Sequence, residues 1–537
     1  MKFALRYLAC AIALACTARA QADMPKATAW DTDRAAHLLR RAAFGGTPAE
    51  VAECTKLGLD AAVDRLIDYD KIDQTDPAFV PIDGLDRAEF RPRFKELSED
   101  ERREALERLQ RMDRAQLEEF RAWWMRRMVL TPRPLEEKLT LFWHGHFTSG
   151  HREVKNSSMM AVQNDLLRRH ALGNFQTLLV RISQDPAMLR YLDNANNRKD
   201  APNENYAREL MELFTLGEGH YSEQDVKEAA RALTGWTIRE GEFFNARGRH
   251  DRGEKTFLGK TGKYDGDDVI GIILEQPAAS RHLARKLIRY FVCEDPPAEL
   301  VEAFSAVIRD NKFELKPSLR MLFKSEAFYA PAARYALIKS PVELVVGTFR
   351  LLEVPPRDAF GMASAARGMG QELLQPPNVK GWDGGQKWMS TATLFARYNF
   401  ASGVLTGTES RDAARLMNDE EGRARAARFD RFRDEIQRHK DDYPGMKIPE
   451  AQVDSDDLPP FDPSAIIAAN HLNNPDSVLN HCLSRVLQMK VDLAQRDLLR
   501  ELLTRGLDRF DSQTPVGRLR VVALLNALMC TPEYQVK

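Results

Sequence analysis

Four clusters along the chain carry residue types that could do chemistry. The first is His144-Gly145-His146, inside Phe142-Trp143-His144-Gly145-His146-Phe147. Two imidazoles can hold one divalent metal ion, yet residues two apart on a continuous helix point about 200° away from each other, so sharing an ion requires the backbone to uncoil. Gly145 permits that break. The competing reading puts His146 on the face of Leu135, Leu139 and Phe142 as a core histidine, with His144 pointing elsewhere. The second cluster is the helical pattern from Asn203 to Gly217. Tyr206, Leu210, Leu213 and Phe214 form its apolar stripe, while Asn205, Glu209 and Glu212, at i, i+4 and i+7, share a flanking face overlapped by Glu204 and Arg208. Such spacing builds carboxylate metal sites in helical bundles, and it equally builds surface pairs between Arg208 and Glu204 or Glu212.

The third cluster is the polar stretch from Arg249 to Gly259. Here His250 beside Asp251 offers a ligand and its orienter, or a base and its support, and Lys255 offers a substrate contact. A solvated loop is the alternative. The fourth runs from Gln375 to Trp388, where Trp382 and Trp388 on a glycine-rich loop can stack on sugar rings or form a rigid plug against helices. Other engines are missing from the sequence: there is no H-E-x-x-H, no G-x-S-x-G and no G-x-x-x-x-G-K-[ST].

Helical elements must position these clusters. Thr47-Pro48-Ala49-Glu50 and Ser98-Glu99-Asp100-Glu101 are capping boxes, and the second opens a long amphipathic helix that runs to Thr131. Helices are predicted from Asp33 to Phe44, as two short pieces parted near Gly58, from Ser157 to His170, Ser222 to Gly235, Ser280 to Cys293, Lys316 to Phe323, Pro341 to Leu352, Ser410 to Gln437 and Pro475 to Arg505. Trp236-Thr237-Ile238 and Phe243-Phe244 predict a small hairpin. The expected class is mainly α: a large multi-helix domain with a small β-hairpin and irregular polar loops. The expected division is a leader at 1–22, a main helical domain at 23–405, a charged insertion or arm at 406–463, and a C-terminal helical segment at 464–537 that packs on the main domain.

The leader has a basic start at Lys2 and Arg6, an apolar centre from Tyr7 to about Cys16, and small residues at Ala18, Ala20 and Ala22. That is the form of a secretory signal, so the expected location is periplasmic or secreted. Its apolar run is too short to cross roughly 30 Å of hydrocarbon, and no later run approaches the roughly twenty residues a span needs, so no transmembrane helix is expected in the mature chain. Of 537 residues, 78 are Lys or Arg and 79 Asp or Glu, a net charge of −1; losing Lys2, Arg6 and Arg19 with the leader lowers it by three, to −4. No global basic field results, which argues against nucleic acid as a partner. Cys54, Cys293, Cys482 and Cys530 would remain, too far apart in sequence for a metal knuckle, as disulfides in any of three pairings or as buried thiols.

Together His37-Leu38-Leu39-Arg40-Arg41-Ala42-Ala43-Phe44-Gly45, Phe142 to Phe147, Asn203 to Gly217, Leu233-Thr234-Gly235-Trp236, His250 to Gly259, Pro376 to Trp388 and Thr531-Pro532-Glu533-Tyr534-Gln535 resemble one bacterial family, the domain of unknown function numbered 1800. The resemblance places His144, His146, Asn203, Glu204, Arg208, Glu209, Glu212, His250, Asp251, Lys255 and Trp382 on signature positions. It implies export, and a co-exported partner from a second family numbered 1501. The expectation drawn from residues and resemblance is a metal-dependent enzyme, hydrolytic or oxidative, acting on an envelope or extracellular polymer. His144, His146, Glu212 and His250 would hold the divalent ion, with Glu209, Arg208 and Asp251 as catalytic groups and Trp382 and Lys255 as substrate contacts. The alternative is a noncatalytic exported scaffold or binding protein.

Overall fold

Capping chemistry fixes most helix starts. In the computed structural model, which describes residues 24–74, 76–82, 97–407, 461–489 and 491–537, Thr47 and Glu50 cap each other reciprocally, as do Ser98 and Glu101, and Ser340 and Glu343. The helix that Ser98 opens runs Glu99–Leu130. The predicted break near Gly58 forms: at φ 79° the residue is non-helical and parts the element Pro48–Ile67 into two helical pieces across a kink. The expected single helix from Pro475 to Arg505 is two, Pro475–Val486 and Leu493–Thr504, because Asp492 caps a new start by accepting from the Gln495 amide.

Helices make up most of the described chain, and the fold is mainly α. The predicted hairpin forms, pairing Trp236–Arg239 with Glu242–Asn245 in register Trp236 to Asn245. A second hairpin, Lys255–Phe257 with Lys260–Gly262, occupies part of the stretch read as an irregular polar loop. Its strands are three residues each, too short for an alternating pattern to show. The predicted leader, most of the expected arm and the predicted helix from Ser410 to Gln437 lie outside the described residues.

Two apolar clusters form the core, and the helix Pro134–His146 runs between them. Leu135, Leu139, Phe142 and Trp143 enter one cluster with Phe175, Phe214 and Leu287; Leu141 enters the other with Trp124, Met128 and Phe349. One buried carboxylate ties this helix to its neighbours. Glu137 accepts from Trp124 Nε1 at 2.9 Å, from Arg127 Nε at 2.5 Å, and from Arg168 Nε and Nη2 at 2.7 and 3.0 Å. The arginines hold its carboxyl down at about 2 against the burial that pushes it up. Cys54, Cys293, Cys482 and Cys530 are all free thiols.

Candidate functional site

The helix Pro134–His146 does not uncoil at Gly145. Its two histidines therefore diverge, as an intact helix requires, and the expected shared ion between them has no geometric basis. Buried His144 turns toward the Gln375–Trp388 segment. Its Nε2 accepts from the Leu374 amide at 3.1 Å, which puts its proton on Nδ1, and its ring lies 5.6 Å from Trp382. Burial drops its pKa to about 4. His146 turns the other way, into Phe142, Trp143, Phe147 and Phe214, and Nε2–H donates to the Phe214 carbonyl at 3.1 Å.

That carbonyl belongs to an unusual turn. Asn205–Glu209 is α-helical, but Leu210–Thr215 is wound as a π-helix, with the Leu216 amide reaching back to the Met211 carbonyl. Wider winding leaves carbonyls near its end without a helical donor, and two imidazoles supply the bonds. His146 takes Phe214, and His282, from the helix Pro277–Phe291, takes Leu213 at 2.9 Å. Burial, then the nearby Lys286 charge, lowers His282 to about 4 and His146 well below its usual range.

Glu209 and Glu212 project from this segment beside the Gln375–Trp388 loop. Glu212 lies 3.9 Å from Lys380 Nζ and accepts from the Tyr221 hydroxyl at 3.4 Å. Burial, then the neighbouring Glu212 charge, raises the Glu209 carboxyl above its usual range. The loop approaches because Gly381, at φ +81°, leaves no side chain there; a Cβ would sit 2.5 Å from the Gly145 carbonyl oxygen. Thus three separate sequence clusters meet: the His144–His146 turn, the Glu209–Glu212 segment and the loop carrying Lys380 and Trp382.

Beside this junction opens a cleft of about 560 Å³. Trp382 and Tyr191 supply its aromatic walls, Asn205, Gln375 and Asn378 its amides, and Arg152, Arg367, Glu153 and Glu372 its charges. Glu372 already pairs with buried Arg121 at 2.9 Å. Gly150 lets the walls converge, since a Cβ there would meet Glu153 Oε2 at 2.5 Å, Gln375 Nε2 at 3.1 Å and the Tyr191 ring at 3.4 Å. Burial, then the charge of Glu153, with Glu209 also contributing, pushes the Tyr191 phenol up to about 12, so it is a neutral donor at physiological pH.

The remaining expected site residues are engaged elsewhere. Arg208 forms a two-pronged pair with Glu223, both contacts at 2.7 Å, and reaches Glu204 at 3.4 Å, which raises its pKa; its guanidinium turns to these carboxylates. Asp251 does not orient His250. It pairs with Arg231 at 2.8 Å and is lowered by that bond, while His250 Nδ1 donates to the Thr234 carbonyl at 2.9 Å. Lys255 is buried, and its ammonium donates to the Asp251 and Gly253 carbonyls, closing the turn before the second hairpin. Trp388 is the buried plug and Trp382 the cleft wall. Among the described residues no group of three or more His, Cys, Asp or Glu side chains is placed to hold a metal ion, so His144, His146, Glu212 and His250 are not gathered as a ligand set. Sequence reading missed Tyr191, Lys380, His282 and Lys286. The last two were visible only as polar members of an amphipathic helix.

A family model described as a protein of unknown function, DUF1800, matches residues 37–536, and the chain belongs to that family. No curated protein and no solved structure matches it. No helix among the described residues is long and apolar enough to cross a membrane.

Proposed function

We propose that the protein acts after export as a binding protein for a hydroxyl-rich polymer, and that the cleft holds a short saccharide segment of it. The composition of the walls carries this reading. Sugar rings present apolar faces that stack on indole and phenol rings, while their hydroxyls both donate and accept. Two aromatic rings among three amides, with charges of both signs, match that pattern better than an apolar pocket would. The leader-like start, with its basic head, short apolar centre and alternate small residues, supports export. Hydrolysis is a second reading that one observation favours: the raised Glu209 carboxyl stands next to Glu212, a pairing suited to acid and base roles.

Calorimetric titration of the mature protein with neutral and acidic oligosaccharides tests the proposal. Trp382→Ala is expected to weaken binding at least about tenfold, or about 1.4 kcal/mol, without lowering Tm. Failure of every oligosaccharide to bind the wild-type protein defeats the reading. In the same samples, release of reducing ends by the wild type and not by Glu209→Gln supports hydrolysis; its absence leaves a binding protein.

A further inference from the structure

A basic stripe lies beside the segment that faces the cleft's loop: His282 bonds the Leu213 carbonyl, next in the chain to Glu212, which lies 3.9 Å from Lys380. His282, Arg285, Lys286 and Arg289 occur at i, i+3, i+4 and i+7 on the helix Pro277–Phe291, which places them on one face. Elsewhere on the same helix Arg281 is paired with Glu302 at 2.6 Å. The stripe differs: Arg285, Lys286 and Arg289 have no carboxylate partner among the described residues. Lys286 is the informative member because it is half-buried. Its charged form is opposed by burial first and then by Arg289 and Lys380, with no acidic group offsetting them. A cation removed from water without a counter-charge costs folding free energy, and an external anion reverses that cost.

Lys380 joins the stripe to the cleft. It is felt electrostatically at Lys286, it lies near Glu212, and its chain neighbours Val379 and Trp382 wall the cleft. The same loop therefore carries both a wall of the cleft and a cation that acts on the stripe. We infer that the polymer is an acidic polysaccharide, whose ring carboxylates lie along Lys380, Lys286, Arg289 and Arg285 while one sugar segment occupies the cleft. This rests on the saccharide-binding reading above. A glycan is favoured over a nucleic acid because the chain's net charge is −1 and the aromatic rings stand among amides suited to hydroxyls.

The test compares a galacturonate oligosaccharide with a neutral gluco-oligosaccharide of equal length, titrated into the full mature protein at low ionic strength. The acidic ligand is expected to bind at least about tenfold tighter, a preference that shrinks with added salt. Arg285→Gln combined with Arg289→Gln, both exposed positions, is expected to remove the preference and leave neutral binding unchanged. Trp382→Ala is expected to weaken both ligands. Lys286→Met is expected to raise the ligand-free Tm, since an uncompensated charge is removed; a lower Tm overturns the claim that Lys286 lacks an internal partner. Equal affinity for the two ligands, or a preference that survives the double arginine change, overturns the inference and leaves the cleft reading standing. If neither ligand binds, the inference is overturned, and the cleft reading falls with it when the wider set of oligosaccharides also fails to bind. Tighter binding of a single-stranded oligonucleotide than of the galacturonate ligand assigns the stripe to phosphates and likewise overturns the inference.

Discussion

Asp185 is a carboxyl group sealed in the interior. Its Oδ1 accepts from Gln163 Nε2 at 2.7 Å and from the Met188 amide at 2.9 Å, while its Oδ2 has no partner. Burial outweighs these bonds and pushes its pKa up to about 7. The folded chain thus keeps a proton that the unfolded chain releases near its ordinary value of 3.8. The stability this protonation brings is complete below that value and is lost as pH climbs toward about 7, at about 1.4 kcal/mol per unit. Asp185→Asn keeps the acceptor and the cap and removes the ionisation. Its Tm relative to wild type is therefore expected to rise between pH 5 and about 8, by a change that thermal melts across that range would show; a constant difference refutes the buried ionisation. At this scale the sequence was legible where a side chain acts locally and opaque where it acts at a distance. Tyr206, Leu210 and Phe214 were readable as a buried stripe, and are buried. Arg208 was assigned to a ligand because its partner Glu223 sits on the next helix, and Lys255 was given a substrate because two backbone carbonyls cannot be read from letters.

Between elements, Glu137 is a fully buried electrostatic tie. It joins Glu99–Leu130, Pro134–His146 and Ser157–Arg169 through Trp124, Arg127 and Arg168. Glu137→Gln leaves buried Arg168 without its paired carboxylate and Arg127 with only Glu136, 3.6 Å away, and is expected to cost about 3–5 kcal/mol in chemical denaturation. A loss under about 1 kcal/mol would show that water or a rotated neighbour replaces the carboxylate. Element types were legible wherever a capping box met a helical apolar period, as at Ser98 and Ser340, because both signals lie within a few residues of each other. Junctions between elements were legible only in part. The break at Gly58 was readable because glycine takes φ 79° without strain, whereas the new start that Asp492 caps inside the Pro475–Arg505 pattern was not. The diverging histidines illustrate the same limit: Gly145 allows a break, and the aromatic packing around His146 keeps the helix whole.

For the molecule as a whole, two large apolar clusters make covalent staples unnecessary. Cys54 and Cys482 are buried, and Cys293 and Cys530 are partly exposed. Burial pushes the Cys54 and Cys482 thiols up to about 12, which keeps them protonated and unreactive. Reduction is therefore expected to leave Tm unchanged, and thiol titration in denaturant of protein lacking residues 1–22, and with them Cys10 and Cys16, to count the remaining four groups; a Tm drop on reduction would reveal a crosslink. The sequence conveyed a helical body and the family, because both follow from patterns repeated over hundreds of residues. It did not convey the cleft, since Arg152, Tyr191 and Trp382 come from three stretches well apart in the chain. The wide turn at Leu210–Thr215 draws these scales together. Tightening it to ordinary pitch would take the Leu213 and Phe214 oxygens away from His282 and His146 and strand two ring N–H groups in the dark interior. The local coil is thus latched from outside by rings more than sixty positions away on either side, so the spacing of Glu212 from Glu209 just before it is a property of the assembled body, dissolved only when that body comes apart.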